Sequence, residues 1–413
     1  MFSNSLPAAA GSFAIDNVRV LTPQGWVGPT TVSVANHRIE AIGEDRPGSS
    51  VRFDGRGGYL LPGIIDLHGD AFERDIAPRA GTEFPLDLAL SANDASLVAN
   101  GITTFFYSIT DGFEPGPRSR ETVRGLLSTL EKLAPRFACD ARIHIRHEKV
   151  NTADHAELME WIAAGRIQLL SLNDHLPALN DPRKVERYLA GLKRRVSMSE
   201  AQIEPFLEGL QASRDLGERQ SVELAQQARL HGVALASHDD ETLDDVSRAS
   251  GLGVSIAEFP MCADTARASQ AAGIAVLMGA PNLVRGGSHV GAIGVREALE
   301  RGVVDMLCSD YYYPSLFRAP FIVAELGLHP LEQAWKLVSE NPARAVGLGG
   351  RKGRIAPGYD ADMLLLSELD GSPLSLRVTW VGGMPVYSRH APGAYEEPAG
   401  MTGHPAAEAA QPA

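Results

Sequence analysis

The sequence predicts an α/β protein built on a (β/α)8 TIM barrel, with a small discontinuous β domain assembled from both chain ends. Three observations predict it. Eight apolar runs of strand length are separated by stretches with helical spacing. β-rich pieces with turn punctuation precede and follow that region. Imidazole and carboxylate side chains recur where the apolar runs end, the face on which such barrels carry their reactive groups.

The small β domain is expected over residues 1–58 and 353–390. Its first part reads as an antiparallel sheet of Phe13–Val20, Thr30–Val34 and Arg38–Ile42, and matching segments return at Asp362–Leu366, Arg377–Val381 and Met384–Tyr387. The barrel is expected over residues 59–352. Its strands are 59–68, Ile102–Ile109, Ala141–Glu148, Ile167–Asn173, Gly232–His238, Val254–Phe259, Ile274–Gly279 and Val304–Ser309. Between them, Thr122–Leu133 places Val123, Leu126, Leu127, Leu130 and Leu133 on one helical stripe. Asn100-Gly101 and His231-Gly232 supply helix stops just before the second and fifth strands. A doubly wound open sheet would want a glycine-rich nucleotide turn after the first strand, and none follows it. Residues 391–413, rich in Ala, Pro, Gly and Glu, are expected to form a disordered tail.

Composition excludes several classes. The chain has 413 residues, 44% hydrophobic and 22% charged, with a formal charge of -13 and no basic stripe, which argues against nucleic acid as a partner. A small anionic substrate needs only a local cationic cluster and stays open, as does homo-oligomerisation. Met1 to Gly11 lacks a signal-peptide pattern, and no apolar run reaches membrane-spanning length, so no membrane partner is expected. Cys139, Cys262 and Cys308 form neither a disulfide framework nor a zinc knuckle, which fits a reducing cytoplasm.

The strand ends carry the functional reading. The first strand runs out into His68, Gly69 and Asp70; residues i and i+2 of an extended chain share a side, so the imidazole and the carboxylate aim at one point. The third ends in His147-Glu148, the fourth in Asn173-Asp174-His175, and the fifth in Ser237-His238-Asp239-Asp240. Glu258, Asn282 and Asp310 follow on the sixth, seventh and eighth. Converging carboxylates repel one another unless a cation removes the cost, so His68, Glu148, His175, His238 and Asp310 together point to one or two divalent ions. His144 and His147 are expected to flank the third strand without binding metal. After the seventh strand, Arg285, Gly286, Gly287, Ser288 and His289 offer a guanidinium, backbone N–H groups and side-chain donors that suit an oxyanion or phosphate. Arg74, Arg79 and Arg318 are expected to reinforce that patch.

The entry from Pro62 to His68 and the stretch Gly353 to Asp362, with the bracketing β pieces, resemble the amidohydrolase superfamily. Within it, His68–Arg74 with Pro78-Arg79, Ser171–His175, Leu235–Thr242, Gly279–Gly291 and Ser309–Tyr312 are similar to a branch acting on triphosphorylated ribose phosphonates. The resemblance implies that His68 and Asp70 bind a first metal, that Glu148 bridges two, and that His175 and His238 hold the second. It implies that Asp310 touches the first metal and manages the proton of the attacking water. Substrate contacts are expected at Arg79, Asn282 and Arg285–His289; the His and carboxylate ligands permit zinc, the first expectation, or manganese or iron, and a polyphosphate substrate would call for further cations or magnesium. The expected function is hydrolysis of a phosphoanhydride bond with release of diphosphate. The alternatives are hydrolysis of a C–N bond in a small, phosphorylated or unphosphorylated substrate, and a non-catalytic scaffold. Ala71 and Lys149-Val150-Asn151 depart from the branch's pattern.

Overall fold

The computed structural model describes residues 12–43, 51–79, 81–114, 118–177, 182–195, 199–287, 291–368 and 374–389. Ser288, His289 and the expected tail 391–413 lie outside them. Five strands open the chain: β1 (Phe13–Thr22), β2 (Gly25–Ala35), β3 (Arg38–Ile42), β4 (Val51–Asp54) and β5 (Tyr59–Pro62). Eight follow: β6 (Ile64–Gly69), β7 (Ile102–Asp111), β8 (Asp140–Glu148), β9 (Leu169–Asn173), β10 (Ala234–His238), β11 (Ile256–Glu258), β12 (Ala275–Gly279) and β13 (Met306–Cys308). The last three are β14 (Met363–Ser367), β15 (Ser375–Val381) and β16 (Met384–Ser388).

The strands sort into two sheets. One runs β16-β15-β14-β5-β1-β2-β3 with β4 against β1, so both chain ends build it. It is mixed rather than antiparallel, because β4 and β5 pair parallel to β1. The other runs β6 to β13 in sequence order, all parallel. The expected strand 59–68 is split between the sheets at Gly63: β5 pairs with β14, whereas β6 pairs with β7. A Cβ on Gly63 would lie 2.2 Å from the Thr103 hydroxyl, so the crossing from sheet to sheet requires glycine. A buried ion cluster joins the two parts beneath the barrel. Lys352 Nζ lies 2.5 Å from Asp362 Oδ2 and 3.2 Å from Asp140 Oδ2.

The barrel closes at its carboxyl end. Gly69 bridges Asp310 in parallel, the Asp310 N–H donates to His68 O at 2.9 Å, and the Asp70 N–H donates to Asp310 O at 2.9 Å. An inner plug of Ile65, Leu67, Phe106, Leu169, Ala236, Ile256, Leu277, Met306 and Cys308 fills the interior. Because side chains alternate along a strand, the residue two positions above each plug residue also points inward. Ala236 thus leads to His238, Ile256 to Glu258, and Cys308 to Asp310. The polar floor of the site is therefore one layer above an apolar plug. Outside, helices such as Arg120–Leu133 pack Val123, Leu126, Leu127 and Leu130 on the sheet. Among the described residues no helix is long and apolar enough to cross a membrane.

Candidate functional site

Local backbone irregularities aim the site residues. On β6 the pairing slips between Asp66 and Gly69: three steps along β6 match two along β7. Such a bulge redirects a side chain, and His68 turns inward with 1% of its surface exposed. Asp239, Phe259 and Asp310 have φ of 56°, 54° and 53°. Left-handed backbone at non-glycine residues is costly and collects at functional sites. All three stand immediately beyond or two residues beyond a strand end on one rim. Gly279 lies close against Asp310: a Cβ there would lie 3.1 Å from Asp310 Oδ2.

Two groups of donor atoms converge. In the sealed group, His68, His144 and Glu258 bring ligand-type atoms within 4.8 Å of one another. His68 Nδ1 donates to Glu258 Oε1 at 2.9 Å, which leaves its Nε2 as a lone-pair atom. His144 Nδ1 faces the Leu67 carbonyl at 3.1 Å, so its Nε2 is also a bare acceptor, buried and unpartnered, as is Glu258 Oε2. Burial holds the His144 pKa down at about 3. In the open group, His175, His238 and Asp239 converge within the same limit. His175 Nδ1 lies 2.5 Å from Glu148 Oε1 and its Nε2 3.6 Å from Asp239 Oδ2. Partial loss of hydration disfavours charge on His175, whose side chain is still 37% exposed, yet Glu148 and Asp239 outweigh it and raise its pKa to about 10. Imidazoles and carboxylates with unpartnered lone pairs fit the ligand chemistry of a divalent ion.

Asp70 joins neither group and faces Arg146, whose Nη1 lies 3.4 Å from Asp70 Oδ2. Arg146 Nη2 is 3.3 Å from His238 Nε2. Burial, helped by Asp70 and opposed by Arg146, raises the Asp310 pKa to about 7. Sequence reasoning missed Arg146 and gave Glu258 no role. The signal for Arg146 was its place on β8: His144, Arg146 and Glu148 alternate, so all three share the inward face.

Other expected residues fall around this core. His147 points outward, where Asp111 takes its Nδ1 at 2.7 Å, Arg120 Nε at 2.6 Å and Asn151 Nδ2 at 3.2 Å. That buried knot pins the end of β8 under Glu148. Asn151 thus has a structural task, while Val150 packs with Leu176 and Ala71 is buried. In the turn after β12, the Gly287 N–H donates to Asn282 O at 3.0 Å and the Gly286 N–H to Leu283 O at 3.3 Å. The backbone donors expected at Gly286 and Gly287 are therefore spent inside the turn. The Asn282 side-chain oxygen is buried and unpartnered. Arg285 Nη1 donates to the Tyr311 hydroxyl at 2.9 Å, and Arg74 donates to the Tyr311 carbonyl. Two guanidinium groups thus bracket the residue after Asp310. Arg318 instead pairs with Glu325 at 2.7 Å, and Arg79 is exposed in a turn with Thr82.

Comparison with known proteins follows the geometry. The amidohydrolase family profile matches residues 197–386. The chain is 35% identical over 364 residues to alpha-D-ribose 1-methylphosphonate 5-triphosphate diphosphatase of Escherichia coli, covering 86% of this chain and 95% of that one. It is 27% identical over 372 residues to imidazolonepropionase of Rubrobacter xylanophilus, covering 83% and 85%. Solved structures share the fold: a prolidase in complex with N-methylphosphonate-L-proline at TM-score 0.61 and 16% identity covers 92% of this chain and 100% of its own. N-isopropylammelide isopropylaminohydrolase of Burkholderia multivorans does so at TM-score 0.60 and 18% identity, covering 91% and 98%. With the parallel barrel, the terminal β sheet and the converging imidazoles and carboxylates, these likenesses make the chain a member of the amidohydrolase superfamily.

Proposed function

We propose that this hydrolase cleaves a phosphoanhydride bond of a triphosphorylated ribose phosphonate, releasing diphosphate, with a divalent metal as cofactor. The observation that carries the reading is that two guanidinium groups bond to Tyr311, the residue after Asp310: Arg74 to its carbonyl and Arg285 to its hydroxyl. In a chain of net charge -13, a polyanion must be captured by such a local cluster. The name of the Escherichia coli relative supports the same substrate class.

His68, Asp70, Glu148, His175, His238 and Asp310 are the residues proposed to hold the metal, with Glu258 orienting His68. A divalent ion, when bound, activates water near neutral pH and offsets charge on the group under attack. Asp310 accepts the proton of the attacking water on its carboxylate, a task matched to a pKa of about 7. Arg285 and Arg74 bind and orient the phosphate chain. The small anionic substrate is the partner this geometry favours.

The likeness to imidazolonepropionase favours a second reading, hydrolysis of a C–N bond. A panel of triphosphorylated sugars, amides and cyclic amides, each assayed with and without chelator, separates the two. Chelator-sensitive release of diphosphate, with KM raised about ten- to a hundredfold by Arg285→Met, is expected from one lost charge-assisted contact. Turnover of amides alone would transfer the assignment to the second reading.

A further inference from the structure

We infer that Arg214 is a positioning residue: from the corner between two helices outside the barrel it holds the strand exit that carries His175, and through His175 it sets the open side of the site. The inference rests on the metal-dependent hydrolysis proposed above and adds a residue to it.

β9 ends at Asn173, and residues 174–177 run on without strand or helix. His175 sits in that stretch with 37% of its side chain exposed, so packing does not hold it as it holds His68. Two helices, Glu200–Ala212 and Arg214–Leu230, meet at Ser213 beside it. Arg214 reaches out from their corner with three nitrogens. Nη1 donates to Asp174 Oδ2 at 3.0 Å, Nη2 to Leu176 O at 2.6 Å, and Nε to Gln211 Oε1 at 2.7 Å. Gln211 Nε2 in turn donates to Pro177 O at 3.0 Å. Among the described residues, Asp174, Leu176 and Pro177 accept hydrogen bonds from Arg214 and Gln211 alone. The guanidinium thus grips the residue before His175 and the residue after it.

The same corner carries the neighbouring strand exit. A Cβ on Gly217 would lie 2.2 Å from Lys149 O, so the second helix is seated directly on the residue after Glu148. Lys149 Nζ lies 3.4 Å from Glu218 Oε1, and Gln220 Nε2 donates to Thr152 O at 3.3 Å. Val150 and Leu176 pack with Ile203, Leu207 and Leu210 in a cluster separate from the barrel's own. Glu148 and His175 therefore leave the barrel on two stretches of chain that one helical corner braces, which fixes the spacing between them. A planar fork suits this task, because it presents several donors in fixed directions, whereas an ammonium is a single point of charge. The Arg214 side chain is 33% exposed and that of Asp174 35%. An ion pair so exposed adds little to stability, so its effect on the site is separable from its effect on the fold.

The test compares Arg214→Gln and Arg214→Lys with the wild type. Histidine isotope-labelled in the ring is incorporated into the chelated chain, and the magnetic resonance signal of His175 is assigned by its absence from His175→Gln. Both Arg214 variants should move or broaden that signal and leave in place those of His68 and His144, which are sealed inside the barrel. The lysine variant keeps the charge, so a shift in it reports geometry. In the metal-loaded chain, a drift of the strand exit by about half to one ångström should lower turnover about ten- to a hundredfold. KM should stay within about twofold, because Arg74 and Arg285 stand beyond other strands, β6 and β12. The melting temperature should change by less than about 3 °C. Gln211→Ala, which removes the bond to Pro177 and one acceptor of Arg214, should also shift the His175 signal, and it decides the matter if Arg214→Gln does not fold. An unmoved His175 signal in folded variants, unchanged turnover in Arg214→Gln, or full rescue by lysine overturns the inference. A wild type that turns over no phosphorylated substrate sinks the proposed reaction instead, and the His175 signal then still decides whether Arg214 positions it.

Discussion

Replacing Gly279 with alanine probes how finely Asp310 must be placed. The backbone at Gly279 has φ -78° and ψ 116°, which any residue adopts, so the substitution acts through space and not through backbone strain. The new Cβ would lie 3.1 Å from Asp310 Oδ2 and 3.4 Å from Asp310 Cβ. Restoring ordinary contact requires the carboxylate to retreat by about 0.3 Å. If a misplacement of about 1 Å costs a hundredfold, a proportional cost in free energy makes 0.3 Å worth about fourfold. Asp310 is backed by its own bonds to β6, at His68 O and the Asp70 N–H, so the retreat cannot be absorbed by the main chain. The expected result is turnover lowered about fourfold, with KM little changed and thermal stability lowered by less than about 1 kcal/mol. Steady-state kinetics with a melting curve on the same preparation check it. Unchanged turnover in a folded, metal-loaded variant would refute the placement of Asp310 as the proton acceptor against β12.

Asp310→Asn should retain metal but lose about a hundred- to ten-thousandfold in turnover, because an amide does not accept the proton near neutral pH; near-normal turnover removes Asp310 from that role. Lys352→Met should cost about 3–5 kcal/mol in urea unfolding, since Asp362 is left buried without its cation and Asp140 keeps only Arg142; a loss under about 1 kcal/mol would show that the cluster is not a stabilising tie. In chelated protein, the His175 pKa of about 10 lies above the ordinary 6.5, so its contribution to stability is complete below pH 6.5 and fades as pH rises toward 10. The melting temperature should fall across that interval and His175→Gln should flatten the fall; a wild-type curve as flat as the variant's contradicts the pairing with Glu148 and Asp239.

The barrel was legible because its strands are buried on both faces and therefore read as continuous apolar runs. The division of 59–68 was not, since both halves are equally apolar and only the Thr103 hydroxyl beside Gly63 marks the joint. Residues at strand ends were legible by position alone. Their partners were not: whether Asp70 meets a metal or Arg146 depends on the depth of a side chain from another strand. Alternation on β8 places Arg146 inside, but a buried arginine is uncommon enough that residue type argues the other way. The turn after β12 shows the opposite error. Gly286 and Gly287 resemble an anion nest in sequence, yet the short helix Ala280–Arg285 needs the same N–H groups to finish its own last turn.

The clasp between β6 and β13 gives the candidate site a second identity as the barrel's seam. Asp66 Oδ1 receives the Ser309 N–H at 3.1 Å across 243 positions of sequence. Closing so long a loop must be achieved before its contacts reward it. During synthesis His68 emerges far ahead of Asp310, and a chain interrupted between them carries half a site and an unzipped barrel. A molecule that touches both residues acts as a rivet across this seam. Its occupancy should register as slower amide hydrogen exchange along β6 and β13, the two strands on either side of the seam.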